Sequence, residues 1–353
     1  MADGKSSGGG VAQEALASWS RLAGARLEPL EGGLINRTWA AQAREGEFIV
    51  QSVHPDFSPG VHGNIQAISD HLVPQAVRVA RLLETDGGDL FADLGARGRW
   101  RVMERIPGAS FNRCLGPDQA YSAGALVADF HRGLLNWEGE LAPIGFPFHD
   151  LPRHLSDLRQ AIDEASAHPL QSEVRELAEM IFKIHESWSP QPRFPLRVVH
   201  GDLKLSNILF AASEPPGANR AVALIDLDTI SRLPIYYDLG DAWRSWCNVG
   251  GDGPEQVRLD LEIFRASAEG YLSSIGSGLS GEEMGSLVYA LERITVELCA
   301  RFAADALNER HFSWDAKRFP SAAEHNLYRA RGQLALHQQA RETRDERARF
   351  IVG

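Results

Sequence analysis

Residues 198–210, VVHGDLKLSNILF, and residues 223–230, ALIDLDTI, decide the fold. Each is an apolar run of β type with polar residues where an ordinary strand has none. Val198-Val199 leads into His200-Gly201-Asp202, Ile208-Leu209-Phe210 follows Asn207 directly, and Ala223-Leu224-Ile225 ends at Asp226. The turn residues Glu214-Pro215-Pro216-Gly217 between them predict two short strands of one hairpin, with Asp202, Asn207, Asp226 and Asp228 converging at one end. Three carboxylates brought together repel one another, so the cluster predicts a neutralising cation.

The spacing carries chemistry. An Asp, an Asn five residues on and an Asp at the end of the next strand match the layout of phosphoryl transfer. In that layout Asp202 accepts the proton of an acceptor hydroxyl, while Asn207 and Asp226 hold Mg²⁺ on the phosphates of ATP. Mg²⁺ prefers hard oxygen ligands and few protein groups, which suits this pair. The segment from His200 to Asn207 resembles the HGDLxxxN motif of the aminoglycoside phosphotransferase and choline kinase superfamily, and Ile225-Asp226-Leu227-Asp228 resembles its IDxD metal motif. The resemblance implies an α+β, bilobal protein-kinase-like fold: a small N-terminal lobe built on an antiparallel sheet and a larger, mainly helical C-terminal lobe. It adds Asp228 to the metal candidates and implies a Mg²⁺-ATP-dependent transferase acting on an alcohol.

With 353 residues, 44% hydrophobic and 24% charged, the chain has material for two lobes and a sizeable core. Its net charge of −11 and lack of a long basic run argue against nucleic acid or an anionic membrane as partner. Three scattered cysteines, Cys114, Cys247 and Cys299, read as free thiols, and no apolar run approaches the roughly 20 residues that span a bilayer. Together these predict a cytoplasmic protein.

Along the chain, residues 1–24 read as a flexible tail and a short helix over 11–24, residues 25–103 as the N-lobe, 104–108 as the hinge and 109–353 as the C-lobe. Strands are predicted at 27–30, 35–41, 47–53, 90–94 and 100–103. The turn at Gly32-Gly33 lets backbone N–H groups approach phosphates. The third strand, where a kinase places a phosphate-gripping lysine, holds Gln51 and Ser52 instead, and no acidic residue precedes Asp70 in the following helix. Both members of the usual ion pair are therefore missing. Glu104, Arg105 and Ile106, before Pro107-Gly108, would bind adenine through the backbone. Lys204 is a candidate for charge near the γ-phosphate. Helices are predicted at 119–135, 153–166, 170–187, 254–273, 281–308 and 321–347, with His131 a packed or surface histidine rather than a ligand and Asp150 a cap in the loop GFPFHDLP at 145–152.

Further segments are similar to N-acetylhexosamine 1-kinases: Gly33-Leu34-Ile35-Asn36, Val50-Gln51, Asp226-Leu227-Asp228-Thr229, the run from Tyr237 to Arg244, residues 294–307 (ITVELCARFAADAL) and the run from Glu324 to Arg331. That likeness implies transfer to the anomeric 1-OH of an N-acetylhexosamine or a related sugar, with Asn36, Asp202, Arg301 and the region of Phe312 at the sugar. The chain departs from the pattern at Leu34, Ser52, Gly63 and Phe312. Two alternatives stand beside the sugar kinase. One is a kinase of another alcohol (aminoglycoside, choline-like or homoserine), whose cationic acceptor would draw on Glu297, Asp305 and Glu309. The other is a nucleotide-binding pseudokinase.

Overall fold

A computed structural model describes residues 4–30, 36–188, 193–211 and 219–353. The N-terminal sheet comprises β1 (Arg26–Leu30), β2 (Arg37–Ala43), β3 (Gly46–Val53), β4 (Ala92–Asp93) and β5 (Arg99–Glu104), all antiparallel, in the spatial order β1-β2-β3-β5-β4. Alternation sorts the two faces. Trp39, Phe48, Val50, Trp100 and Val102 point to one side, where Ala12, Ala15, Leu16, Trp19 and Leu22 complete an apolar cluster. The other side carries Gln51 and Arg101, directly paired across β3 and β5. The first helix, α1 (Gly4–Ala15), starts well before residue 11, where the sequence predicted a tail. Two 3-10 turns then bring Trp19 down on the sheet, where its indole donates to the Leu83 carbonyl at 2.8 Å.

The helix α2 (Val61–Leu72) follows β3, and β5 runs out into the C-terminal region. There α3 (Pro117–Leu134) approaches α7 (Leu261–Ile275) so closely that glycine is required on both: a Cβ on Gly124 would sit 2.1 Å from the Ser267 carbonyl oxygen, and one on Gly270 2.1 Å from that of Tyr121. The helices α4 (Leu151–Glu164), α5 (Gln171–Glu186), α6 (Tyr236–Trp246), α8 (Gly281–Leu287) and α10 (Ala322–Glu342) pack around α9 (Ala290–Asn308), most of whose residues are buried.

Three predicted helices are cut by local chemistry. The one expected from 254 begins only at Leu261, where the Asp260 carboxylate caps the Glu262 and Ile263 amides at 3.0 Å. The one over 281–308 divides into α8, opened by a Ser280/Glu283 capping box, and α9. The one over 321–347 divides at Thr343, whose hydroxyl bonds back to the Gln339 carbonyl at 2.8 Å, and α11 (Arg344–Val352) follows. Cys114, Cys247 and Cys299 are free. Among the described residues no helix is long and apolar enough to cross a membrane.

The central hairpin differs from its prediction in one respect. β7 (Ile208–Phe210) pairs with β8 (Ala221–Leu224) as expected, but β6 (Arg197–Val199) pairs instead with β9 (Ser231–Leu233), a strand the sequence reading passed over. Glu214-Pro215-Pro216-Gly217 lies outside the described residues. Two small ladders thus bracket the polar loops after β6 and β8 and bring those loops together.

Candidate active site

The loop after β6 is fixed from below by α6. The Asp238 carboxylate accepts the backbone N–H groups of His200 and Gly201, both at 2.7 Å, and bonds His131 Nε2 at 2.8 Å, while His131 Nδ1 meets the Tyr271 hydroxyl at 3.0 Å. Burial alone would raise the Asp238 pKa, but His131 and the two amides hold it below the usual carboxylate range. Gly201 has φ +88, and a Cβ there would lie 2.7 Å from the Thr229 carbonyl oxygen, so the loop turns where only glycine fits. Of the packed and surface readings the sequence left for His131, the structure shows the packed one.

On this frame Asp202, Lys204, Asn207 and Asp226 meet. Asn207 Nδ2 donates to the Asp202 carbonyl at 2.8 Å and to its carboxylate at 3.1 Å, and Lys204 Nζ donates to the same carboxylate oxygen. Burial pushes the Asp202 pKa up, but Lys204 overrides it and holds the group ionised. Lys204 also stands 4.0 Å from Asp226. Asp226 has φ +65, a left-handed conformation that is costly for a residue with a Cβ and clusters at functional sites. Desolvation and then the neighbouring Asp228 push its carboxyl up to about 6, although its side chain keeps 37% of its exposure. This donor set fits a divalent ion. The nearest cation to Asp226, Lys204, is bound to Asp202, and Asn207 Oδ1 accepts no hydrogen bond among the described residues. Both supply hard oxygens, though Asn207 is buried. Among the described residues no three His, Cys, Asp or Glu side chains group to hold a metal alone, so phosphate oxygens would complete the coordination.

Asp228 sits differently. It is 2% exposed, and both its oxygens are engaged by Arg101, one through NH1 and the other through NH2 at 2.9 Å; Asn36 Nδ2 adds a bond at 2.7 Å. Arg101, 1% exposed, also donates to Gln51 Oε1 from Nε at 3.0 Å and NH2 at 2.7 Å. Arg101 pulls the Asp228 pKa down against a burial effect that would raise it. The N-terminal sheet therefore does own a buried cation paired to a carboxylate, on β5 rather than β3. The sequence reading missed Arg101. The signal available was its alternation with Trp100 and Val102, which turns it to the face of Gln51. Asn36, expected at a sugar, is tied here to Asp228 and to the His54 amide at 2.9 Å. Among the described residues no hydrogen bond joins it to Arg301.

The wall beyond Asp202 is built from the loop before α4 and from α9. Asp150 caps α4 by accepting the Arg153 amide at 3.1 Å, as the sequence predicted. His149, at φ +49, turns inward, where Nε2 meets the Gly201 carbonyl at 2.6 Å and Nδ1 meets Glu297 at 2.8 Å. Burial works against the imidazolium, but Glu297 outweighs it, so the His149 pKa is raised and that of Glu297 lowered. Arg301, one turn along α9, has the Phe148 ring 5.4 Å and the Phe312 ring 5.5 Å from its guanidinium carbon. Phe312 is set by Asp305, which accepts the Arg310, His311 and Phe312 amides and Asn326 Nδ2 at 2.9 to 3.0 Å. Arg301 and Phe312 thus come together as the sequence suggested.

At the hinge, the Glu104 amide donates to Arg81 O and the Arg105 amide to Glu47 O, whereas the Ile106 amide has no protein acceptor among the described residues. Ser52 pairs with Trp100 across the sheet. Gly32 and Gly33 lie outside the described residues. A cavity of about 910 Å³ opens elsewhere, between Trp188, Arg193, Tyr289 and Arg344.

The family model described as a phosphotransferase enzyme family matches residues 26–271. Solved structures share the fold over nearly the whole chain. A microcompartment-associated aminopropanol kinase is 19% identical with a TM-score of 0.64, covering 95% of this chain and 98% of its own. An amicoumacin kinase in complex with AMP-PNP, Ca²⁺ and its ligand is 12% identical at 0.63, covering 96% of each. A choline/ethanolamine kinase family protein from Mesorhizobium loti is 17% identical at 0.56, covering 94% of this chain and 99% of its own.

Proposed function

We propose that this chain, which belongs to the phosphotransferase enzyme family, transfers the γ-phosphoryl group of ATP to a hydroxyl of a sugar, in the class of the N-acetylhexosamines and their relatives. The observation that carries the reading is that Asp202 and Asn207, on the loop fixed by Asp238, meet Asp226 from the loop after β8, with Lys204 between the two aspartates. The acceptor oxygen forms the new bond to phosphorus as the bond to the β–γ bridging oxygen breaks, and its proton passes to Asp202. Held ionised by Lys204, Asp202 is a weak base that orients the hydroxyl and takes its proton as the oxygen bonds to phosphorus. Positioning and charge stabilisation supply most of the acceleration in such a transfer.

Asn207 and Asp226 would hold the divalent ion, Mg²⁺ by their oxygen chemistry, which neutralises charge on the phosphates. Asp228 has both oxygens engaged, so we assign it to hold Arg101 and couple the sheet to the metal loop. The unbonded Ile106 amide is the backbone donor for adenine, with Glu104 and Arg105 beside it. Lys204 supplies charge between Asp202 and Asp226. Gln51 orients Arg101, and the Arg101–Asp228 pair is the sheet's buried ion pair in place of the absent lysine–glutamate pair.

The test is a screen of purified protein with Mg²⁺-ATP against hexosamines, neutral and acidic sugars and amino alcohols, following ADP release and identifying the product. Phosphorylation of a sugar is expected. Exclusive phosphorylation of amino alcohols, or nucleotide binding with no transfer, would overturn the reading.

A further inference from the structure

We infer that the acceptor is an acidic sugar, its carboxylate bound by Arg301; this rests on the sugar-kinase reading above and narrows it. Most charges of the cleft are paired within it. Asp202 pairs with Lys204, and Asp228 with Arg101. Asp238 pairs with His131 at 2.8 Å and Glu297 with His149 at 2.8 Å. Asp241 takes Nε and NH2 of Arg244 on one oxygen at 2.9 and 2.6 Å. Asp305 is held by amides rather than a cation, and two further groups have no partner of opposite charge to themselves. Asp226 is the unmatched anion, which the metal answers. Arg301 is the unmatched cation: it makes no hydrogen bond or ion pair among the described residues.

Its setting makes the surplus consequential. Two phenyl rings flank the guanidinium and hold it by cation–π attraction, but they offer no acceptor for its N–H groups. Desolvation already works against its charge, while Glu297, Asp202 and Asp241 act on it only through space. A planar guanidinium with free N–H groups matches a carboxylate in two-point geometry. The carboxylates that a cationic acceptor would need are spoken for. Asp305 is filled by three amides and Asn326 Nδ2, and Glu309 caps Ala323 at 3.3 Å.

Glu297 Oε2 and Asp241 Oδ2 are buried and without a hydrogen-bond partner, while the charge of each residue is already matched. Both atoms are closed to the surface, so the acceptor end presents Arg301 as its charged group without an anion, which an acid answers.

The experiment compares a hexuronic acid, the matching hexose and the matching hexosamine in wild type, Arg301→Gln and Arg301→Lys. It measures kcat/KM with Mg²⁺-ATP and calorimetric affinity in the presence of AMP-PNP, with melting temperature as a folding control. The acid is expected to lead the hexose by about tenfold or more, from the worth of a charge-assisted hydrogen bond. R301Q should erase that lead, mainly through KM and affinity, and R301K should restore part of it. If the hexose or hexosamine leads in wild type, or the ranking is unchanged in R301Q, the subsite is overturned while the sugar kinase stands. Binding of the acid through Arg301 without turnover keeps the subsite and breaks the kinase reading. Binding of none of the three overturns both.

Discussion

The two ends of the cleft are built on opposite leftovers. At the phosphate end, Asp226 is a carboxylate pushed up to about 6, and its nearest cation, Lys204 at 4.0 Å, is already bound to Asp202. At the acceptor end, Arg301 is a guanidinium with aromatic neighbours and no anion. Between them Asp202, Asp228 and Asp241 have Lys204, Arg101 and Arg244, Glu297 has His149, and Asp238 and Asp305 are held by hydrogen bonds. A site whose charges were all matched internally would have no electrostatic preference for what enters; this one has two, of opposite sign. The comparison teaches that a pocket's selectivity is read from its unpaired charges rather than from its total of acidic and basic residues.

The largest effect expected is at the residue between the two ends. Asp202→Ala should lower turnover by roughly 10²-fold or more, with nucleotide affinity nearly unchanged, as checked by single-turnover kinetics and nucleotide titration. A collapse of nucleotide binding with turnover preserved would assign Asp202 to the phosphate end instead. Next is Arg101→Leu, which strands Asp228 in a buried site and should cost about 3–5 kcal/mol in denaturant unfolding. The double variant Arg101→Leu/Asp228→Leu should regain most of that stability without regaining activity. Asp226→Asn removes the surplus anion and should weaken metal affinity by an order of magnitude or more, whereas Asp228→Asn should change it by only a few-fold. Equal losses at both positions would make Asp228 a direct ligand.

The smallest effects are two pH dependences of opposite sign in the acceptor wall. His154 is kept neutral by burial, its pKa lowered to about 4, and it takes up a proton on unfolding. Its folded value lies below the unfolded one near 6.5, so stability should fall as pH drops from about 6.5 towards 4. His149 has its folded value raised by Glu297 against burial. Its contribution is therefore fully present below about 6.5 and lost as pH rises through the folded value. Melting curves across pH for His154→Leu and His149→Gln should each lose one of these two slopes.

Much of this was legible in the sequence. Asp202, Asn207 and Asp226 declare themselves because they interrupt apolar strands, where a polar residue needs a reason. The sheet and most helices follow from alternation and helical periodicity. What escaped depends on register and on distant partners. Arg101 gains its meaning only from sitting opposite Gln51 and from Asp228, 127 residues away. His149 reads as a loop histidine until a positive φ turns it towards Gly201 and Glu297. Asp305 and Glu297 read as acidity available to a cationic acceptor, yet one holds a loop and the other a histidine. Spacing shows that charges are near; only coordinates show which remain unpaired.

The most direct test of the account is the product. Wild-type protein, Mg²⁺-ATP and the panel of acidic, neutral and amino sugars should be followed by ³¹P NMR. The account expects ADP and a sugar phosphate in equal amounts, formed fastest from the acidic sugar. ADP accompanied only by inorganic phosphate, or ATP left intact with every sugar, would contradict it.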